Sequence, residues 1–262
     1  MTLRTDRVYP LVLPLLSLVG LLLLWELCGR LGLLNPLFFP VPSLILLRFI
    51  AMLADGEIQA NLTITLFRLF TGFLLGTIPG ILIGLLMGAS EKIRLLLDPI
   101  VAATYPIPKL AIFPLLMIIF GIGEFSKIMA IAIGCFFIVL INAMAGVKNI
   151  NKVYFDVAKN YGASKGQLFT RVILPASLPM IFTGIRLALG MSLIVVVGVE
   201  FVSANYGIGA IIWNGWETFE IEKLYVGIFL CAILGILFTV VLKRVEMRIT
   251  PWFGHLAYRD QE

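Results

Sequence analysis

The sequence predicts an all-α integral membrane protein with six transmembrane helices in a single domain, residues 1–262, whose core spans occupy roughly 62–242. Of its 262 residues, 60% are hydrophobic and 13% are charged, and the mean hydropathy is +1.05. These values lie far outside those of soluble domains. Apolar runs of roughly 20 residues favour helices over the alternating runs of about ten that build a β-barrel. The predicted spans are Leu11–Leu27, Leu62–Met87, Ile100–Phe120, Ile128–Val147, Leu178–Ala204 and Leu224–Leu242.

The first span is expected to be retained, because its apolar run continues to Trp25 and no small-residue cleavage pattern follows. Pro40 and Pro42 then interrupt the chain. Ser43 is expected to cap a short helix that is too short to cross the bilayer and lies at the outer interface. A simple connector is the alternative.

A stripe of small residues runs along the second span, with one glycine every four residues. Such a stripe lets another helix approach closely, so we predict a packing surface, with a direct role in transport as the alternative. Pro79 lies inside the stripe and is expected to bend the helix. The stripe consists of Gly72, Gly76, Gly80, Gly84 and Gly88.

The third span contains Pro106, Pro108 and Pro114. Each proline removes a backbone donor and leaves carbonyl groups without intrahelical partners. At membrane depth, such broken backbone is tolerated only against protein or a water-filled cavity. The prolines therefore predict either a helix that lines a pathway or a structural kink.

Lysine and arginine residues concentrate on alternate segments of the chain. Because positive charge accumulates on the cytoplasmic side, both termini and the loop between the fourth and fifth spans are predicted to be cytoplasmic. This bias also explains the net charge of +5 without a nucleic-acid partner. The basic set comprises Arg4, Arg7, Lys92, Arg94, Lys148, Lys152, Lys159, Lys165, Arg171, Lys243, Arg244, Arg248 and Arg259.

The sequence argues against several kinds of site. Cys28, Cys135 and Cys231 have no metal-ligand spacing, and His255 is the only histidine. A multi-histidine metal site and a His-based catalytic triad are therefore excluded, and we predict no metal and no cofactor bound by this chain. No G-x-x-x-x-G-K-[ST] segment is present. If ATP drives the protein, another chain hydrolyses it.

The predicted cytoplasmic loop, residues 148–177, contains two short amphipathic helices. The first runs from Lys148 to Asn160 and ends at Gly162 in a left-handed conformation. Ser164 and Gln167 have the spacing of a capping box that opens the second helix, which is expected to stop at Leu174-Pro175. An apolar face with a basic rim favours docking onto a soluble partner. Contact with lipid is the alternative.

These loop residues resemble the cytoplasmic EAA loop of ABC importer permeases, a binding-protein-dependent transport family. Asp156-Val157-Ala158 stands where the family has Glu-Ala-Ala. The resemblance implies that the loop inserts into an ATPase subunit and transmits its closure to the transmembrane helices. The coupling residues that it implies are Asp156, Ala158, Tyr161, Gly162, Ala163, Ser164, Leu174 and Pro175.

Other segments look like the nitrate, sulfonate and taurine branch of these permeases. They are Thr65-Leu66-Phe67-Arg68, Gly72-Phe73, Pro106-Ile107-Pro108, Pro114-Leu115, Phe120-Gly121-Ile122-Gly123, Glu200 with Ala204, Gly207-Ile208-Gly209, and Thr250-Pro251-Trp252. The resemblance implies a type I importer in the bacterial inner membrane, built from a homodimer of the permease and two ATPase subunits that bind ATP and Mg²⁺. A periplasmic solute-binding protein delivers the solute.

The resemblance implies import of a small anion, most readily a sulfonate or taurine, with nitrate and bicarbonate as alternatives. An ion-coupled secondary carrier is the rival from another class, but it has no use for such a loop. An intramembrane enzyme needs paired catalytic groups at one depth, and the spans offer none.

Four charged residues fall within or near the apolar runs, where each needs a partner, a cavity or an interface. Arg68 is expected to snorkel to the outer interface, and Glu200 to bond to backbone or to an arginine. Lys109 and Arg186 both lie roughly nine residues inside their spans, about 13 Å deep at helical rise. Two cations at matched depth suggest an anion path. Its candidate residues are Lys109, Arg186, Pro106, Pro108 and Glu200.

Overall fold

The computed structural model describes residues 9–252, with side chains from residue 16 onward. Within that part the chain is helical throughout, and no strand occurs there. Eleven α-helices follow one another as α1 (Tyr9–Arg30), α2 (Pro42–Ala54), α3 (Glu57–Ala89), α4 (Glu91–Thr104), α5 (Phe113–Phe120), α6 (Glu124–Lys148), α7 (Lys152–Asn160), α8 (Lys165–Leu168), α9 (Leu174–Ser203), α10 (Ile208–Glu217) and α11 (Ile221–Ile249).

Among the described residues, four helical segments are long and apolar enough to cross a membrane. They contain α3, α6, α9 and α11, which correspond to the second, fourth, fifth and sixth predicted spans, and α1 coincides with the first. The third predicted span divides into the end of α4, a turn and the eight-residue α5. The proline-rich segment therefore breaks the helix, as predicted, and the count of six spans stays a prediction.

The glycine stripe of α3 packs along α6 over its whole length. An added Cβ at Gly72 would lie 2.7 Å from the carbonyl oxygen of Ile128, and one at Gly80 would lie 2.8 Å from that of Phe136. Both helices advance in the same direction, so they are parallel. The packing role predicted for the stripe is confirmed, and α3 continues through Pro79.

α9 packs against α6 in the opposite direction. An added Cβ at Gly184 would lie 2.6 Å from the Asn142 side chain, and one at Gly146 would lie 3.0 Å from the carbonyl oxygen of Ser177. The three helices enclose the main apolar core, whose most deeply buried members include Leu69, Ile131, Cys135, Val139, Ala188 and Val196. α3, α6 and α9 therefore form one densely packed unit.

A second apolar cluster joins α2, α10 and α11 beside this unit. Pro42 opens α2, a position where its missing N–H costs nothing. The predicted Ser43 cap is wrong, because α2 has no side-chain cap. The Ser43 hydroxyl instead donates to the Glu26 carboxylate over 2.8 Å, and its backbone N–H donates to the same group over 2.9 Å. Ser43 therefore bonds α2 to an acid on α1 instead of capping its own helix.

Candidate functional site

The predicted coupling loop begins with a break after α6. The prediction extended the first loop helix back to Lys148, but α6 ends there and α7 starts at Lys152. Asn151 caps α7, since its side chain accepts a 3.0 Å hydrogen bond from the backbone N–H of Val153. This local capping bond explains why the prediction placed the start of the helix four residues too early.

The end of α7 is a Schellman motif around Gly162. Its φ of 72° lies in the left-handed region, which glycine adopts without a steric cost. The Gly162 N–H donates to the Lys159 carbonyl over 2.9 Å, and the Ala163 N–H donates to the Ala158 carbonyl over 3.0 Å. These bonds satisfy carbonyls that the helix end would leave unpaired. The predicted conformation of Gly162 is confirmed.

The next turn contains the predicted capping box. The Ser164 hydroxyl accepts from the backbone N–H of Gln167 over 3.3 Å, and the Gln167 side chain accepts from the backbone N–H of Ser164 over 2.9 Å. Both partners of the S-x-x-Q pattern are therefore engaged reciprocally. The turn between α7 and α8 is held by bonds that lie entirely within the loop.

The predicted stop at Leu174-Pro175 is wrong. A π-helical turn, Phe169–Ile173, follows α8 and leads directly into α9. Pro175 lies in the first turn of α9, where a missing N–H is tolerated. Residues Lys165–Ser203 consequently form a continuous helical segment of 39 residues, which connects the loop to the core of the bundle.

The loop presents an apolar surface away from the bundle. Phe155 and Leu168 pack on a cluster that includes Ile150 and Ile173, which holds the loop against the bundle. No residue of α7 or α8 is buried. The exposed apolar side chains include Val153, Tyr154, Val157 and Tyr161, the last 88% exposed. Among the predicted coupling residues, Asp156, Gly162 and Ser164 are also exposed, whereas Ala158, Ala163, Leu174 and Pro175 are half-buried.

Lys109 lies in the turn that joins α4 to α5. Its side chain is 9% exposed, and Nζ donates to the carbonyls of Thr104 and Tyr105 over 3.2 Å and 3.0 Å. The same Nζ lies 4.7 Å from the ring centroid of Phe137, within the range of a cation–π contact. It lines an otherwise apolar cavity of about 490 Å³ between α3, α6 and the turn. Pro106 and Pro108 in this turn are exposed.

Arg186 lies on the other side of the turn and lines a different cavity, of about 460 Å³. Tyr105 and Asn142 also line this cavity. The guanidinium forms an ion pair with Glu246 of α11. The structure therefore does not bring Lys109 and Arg186 into one cavity.

Arg68 and Glu200 form the centre of a buried cluster at the end of the bundle opposite the loop. Arg68 is 3% exposed and Glu200 is 0% exposed, and their side chains bond over 2.8 Å. Arg68 also donates to Glu124 over 2.7 Å. The expectation that Arg68 snorkels is therefore wrong, because two carboxylates retain it inside. The expected bond between Glu200 and an arginine is confirmed.

The cluster also fixes the segment that leads into α10. Glu200 accepts from the Gly209 N–H over 2.8 Å, and Thr65 accepts from the Ile208 N–H over 2.8 Å. The side chain of Asn61 accepts from the Gly207 N–H over 2.7 Å. Sequence reasoning missed Asn61, Glu124 and Lys127 as members. Glu124 and Lys127, three residues apart on α6, bond over 3.2 Å, and that spacing was the available signal.

The described part of the chain contains no group of three or more His, Cys, Asp or Glu side chains that could hold a metal ion. The acids of the cluster are held by Arg68 and Lys127 instead.

Comparisons with known proteins identify the family. The family described as "Binding-protein-dependent transport system inner membrane component" matches residues 80–252. The taurine transport system permease protein TauC of Escherichia coli (strain K12) is 35% identical over 92% of this chain and 89% of its own length. The putative aliphatic sulfonates transport permease protein SsuC of the same organism is 36% identical over 94% and 93%. SsuC of Bacillus subtilis (strain 168) is 35% identical over 87% and 83%.

Solved structures share the fold. An inward-facing structure of the MetNI methionine ABC transporter matches with a TM-score of 0.67 at 19% identity, covering 76% of this chain and 98% of the other. An amino acid ABC transporter matches with a TM-score of 0.60 at 20% identity, with the same coverage. The type I importer fold predicted from the sequence is confirmed, and the chain belongs to the family of binding-protein-dependent transport system inner membrane components as a non-catalytic permease subunit of an ABC transporter.

Proposed function

We propose that this chain is the transmembrane subunit of an ATP-driven importer for a small sulfonate, with α7 and α8 as its coupling element. The observation that carries the proposal is the exposed apolar surface of α7 on a loop that continues without interruption into α9. A soluble partner that grips this loop displaces the start of a long helix of the core. Motion at the loop is thereby transmitted along α9 toward Glu200.

The coupling role rests on two mechanical features of the loop. The Gly162 turn and the Ser164 cap hold α7 and α8 in one shape, so a force on either helix moves both. The π-helical turn, Phe169–Ile173, then joins this shape to α9. We assign the coupling contact to Asp156, Ala158, Tyr161, Gly162, Ala163, Ser164, Leu174 and Pro175.

The proposed assembly contains two copies of this chain, two ATPase subunits that bind ATP and Mg²⁺, and a periplasmic solute-binding protein. The chain crosses the bacterial inner membrane six times with both termini in the cytoplasm, so that α7 and α8 face the ATPases. ATP binding closes the ATPases around the loops and turns the path from inward to outward opening. Hydrolysis resets it.

The proposed substrate follows the relatives, which are named for taurine and for aliphatic sulfonates. Nitrate and bicarbonate are the alternative substrates of the same machinery. The proposed path passes the α4–α5 turn with Pro106, Pro108 and Lys109, and its other candidates are Arg186 and Glu200. Both Lys109 and Arg186 line cavities in the described structure.

Co-purification with the ATPase tests the coupling assignment. Deletion of Asp156–Ser164 and the point variant Tyr161→Asp should each abolish co-purification of the ATPase with tagged permease, because Tyr161 is 88% exposed and a charge there opposes burial at an interface. Tyr206→Asp is the matched control, since Tyr206 is 59% exposed at the opposite end. A stable complex after the deletion would contradict the proposal.

Uptake in cells tests the energy source. Taurine and 1-butanesulfonate uptake should cease when the ATPase is inactivated and should survive brief collapse of the proton and sodium gradients at constant ATP. The reverse pattern would identify an ion-coupled secondary carrier. If ATPase inactivation stops nitrate uptake and leaves sulfonate uptake unchanged, the proposed ATP-driven machinery stands and nitrate is its substrate.

A further inference from the structure

Lys109 is a buried cation without a carboxylate partner. Eight ion pairs connect described side chains, and Lys109 takes part in none of them. A charge in an apolar interior needs a counter-charge or several hydrogen bonds. Here the protein supplies two carbonyl groups and two aromatic rings, with the ammonium nitrogen 4.7 Å from the ring centroid of Phe137 and 6.0 Å from that of Tyr105. Two of the three ammonium N–H groups are therefore used, and the third has no oxygen acceptor among the described residues.

The two carbonyls are available because prolines interrupt α4. The Thr104 carbonyl would pair with the N–H of residue 108 in a continuous helix, but Pro108 has none. The Thr104 carbonyl accepts instead from the Ile107 N–H over 3.3 Å and from the Lys109 ammonium, at the C-terminal end of α4, where the helix dipole favours a cation. This arrangement holds the ammonium against two residues of the cavity lining, Thr104 and Phe137, without neutralising it.

The cavity at Lys109 has the composition of a site for an amphiphilic anion. Its volume of about 490 Å³ falls within the usual range for small-molecule sites, about 300–1,000 Å³. Lys109 is its only charged lining residue, and the lining is otherwise almost entirely apolar, with Leu75, Ile107, Ile112, Met129 and Phe136 among its members. One cation in an apolar pocket suits a compact anionic head with a short alkyl chain. An inorganic anion such as nitrate would leave most of the lining without a contact.

The cavity at Arg186 differs in the net charge of its cation and in the polarity of its lining. Glu246 already neutralises the guanidinium, and Asn142 and Tyr105 add polar groups. An anion there competes with an internal carboxylate, whereas an anion at Lys109 does not. Of the two cations on the proposed path, only Lys109 thus retains a net attraction for the substrate.

We infer that Lys109 binds the head group of a small organic anion, a sulfonate, sulfate ester or carboxylate with a short alkyl chain, during its passage through this chain. The inference rests on the proposed function and specifies which residue holds the substrate inside the membrane domain. The anion supplies the missing counter-charge and accepts from the third N–H of the ammonium. The alkyl chain packs against the apolar lining.

Thermal unfolding of the purified full-length chain tests binding directly. At a 1-butanesulfonate concentration about tenfold above the dissociation constant, the wild-type Tm should rise by about 3 °C. Equal concentrations of sodium chloride, sodium nitrate and neutral 1-pentanol should give smaller shifts. Lys109→Gln should lose the butanesulfonate shift, because the amide keeps hydrogen-bond donors but removes the charge. Lys109→Arg should retain at least part of it.

Two further variants keep the test decisive if Lys109→Gln is unstable. Ile107→Glu places a carboxylate at the same cavity, at a residue that is 43% exposed, and should abolish the shift by competing for the ammonium. Lys92→Gln removes an exposed lysine on α4 and should leave the shift unchanged. In cells, Lys109→Gln should lower butanesulfonate uptake at least tenfold while ATPase co-purification stays at the wild-type level.

The outcomes separate the two proposals. A wild-type chain without a butanesulfonate shift, or a Lys109→Gln variant with wild-type shift and uptake, overturns the inference about Lys109. Failure of the wild-type complex to bind an ATPase or to import any sulfonate overturns the proposed function instead. A wild-type shift that Lys109→Gln and Ile107→Glu both lose supports the inference, even where uptake is limited by another subunit.

Discussion

Of the three cations buried among the described residues, Arg68, Lys127 and Lys109, the first and the last occupy opposite electrostatic situations. Arg68 is 3% exposed and meets the carboxylates of Glu124 and Glu200. Lys109 is 9% exposed and meets only carbonyls and two aromatic rings. A paired charge stabilises the arrangement that encloses it, whereas an unpaired charge remains available to a ligand. The comparison distinguishes a structural cation from the cation that we infer to bind the substrate.

The Arg68 cluster joins the parts of the fold that surround it. Arg68 belongs to α3, Glu124 to α6 and Glu200 to α9, and Arg68 also donates to the Tyr206 carbonyl over 2.6 Å. The three helices of the dense core are thus tied together at one end, next to the segment that leads into α10. Lys109 bonds its own turn to the end of α4 and contacts α6 through the ring of Phe137, so its removal breaks no hydrogen bond or ion pair between the core helices.

Removal of the Arg68 side chain should have the largest effect on stability. Arg68→Met leaves Glu200 buried without its counter-charge, which costs on the order of 3–5 kcal/mol of the free energy of unfolding. Thermal unfolding in detergent measures the loss. The double variant Arg68→Met/Glu200→Leu should recover much of it, because no unpaired charge then remains. Arg48→Met, which breaks the exposed pair with Glu220, should cost at most about 1 kcal/mol. Equal losses for Arg68→Met and Arg48→Met would contradict the distinction.

Gly207 offers a second way to disturb the same cluster. Its φ is 132°, and an added Cβ would collide with the Glu200 carboxylate. Gly207→Ala should therefore cost about 1–3 kcal/mol through strain and overpacking. Gly121→Ala is a matched control, since Gly121 also has a positive φ, 82°, but no atom within 4 Å of an added Cβ. The difference between the two losses of unfolding free energy measures the cost of the collision with Glu200. A smaller loss at Gly207 than at Gly121 would contradict this account of the cluster.

The cap of α8 should show a smaller and more local effect. Ser164→Ala removes the hydroxyl of the capping box and should cost about 1 kcal/mol. Because all bonds of the turn lie within the loop, hydrogen exchange should accelerate in α7 and α8 but not at Arg68. Thr63→Ala is a control, since its hydroxyl bonds only to the Gln59 carbonyl of its own helix. Faster exchange throughout the core would show that the loop is not an independent unit.

Two features whose interaction partners are close in the sequence are predicted correctly, and two features whose partners are distant in the sequence are not. Gly162 and the Ser164–Gln167 pair were predicted because their partners lie within a few residues along the chain. The prediction that Arg68 snorkels is wrong because its partner Glu200 is 132 residues away. Nothing in the local pattern of α3 reveals an acid at that distance. The predicted cap by Ser43 is wrong for the same reason, since Glu26 on another helix accepts a hydrogen bond from its hydroxyl.

Prolines interrupt a helix at one place in this chain and are tolerated in the first turn of a helix at another. Pro106 and Pro108 interrupt the third predicted span, because they fall where α4 would need backbone donors. Pro175 was expected to end a helix in the same way, but it falls in the first turn of α9, next to the π-helical turn that absorbs the irregularity. The effect of a proline depends on its position relative to a helix start, which the sequence alone leaves open. The site at Lys109 depends on such a break and could therefore be suspected but not described from sequence.

Substitution of Lys109 should have the smallest effect on stability and is the sharpest contrast with Arg68. Lys109→Met removes two hydrogen bonds but also removes a buried charge, and no carboxylate is left unpaired. The free energy of unfolding should therefore change by no more than about 1 kcal/mol, measured by the same thermal unfolding as Arg68→Met. Lys127→Met serves as a control, since Lys127 is 4% exposed but bonded to Glu124, and it should destabilise more than Lys109→Met. If Lys109→Met costs as much as Arg68→Met, Lys109 is a structural cation and the comparison fails. If it costs little while butanesulfonate uptake falls, the unpaired charge serves the substrate rather than the fold.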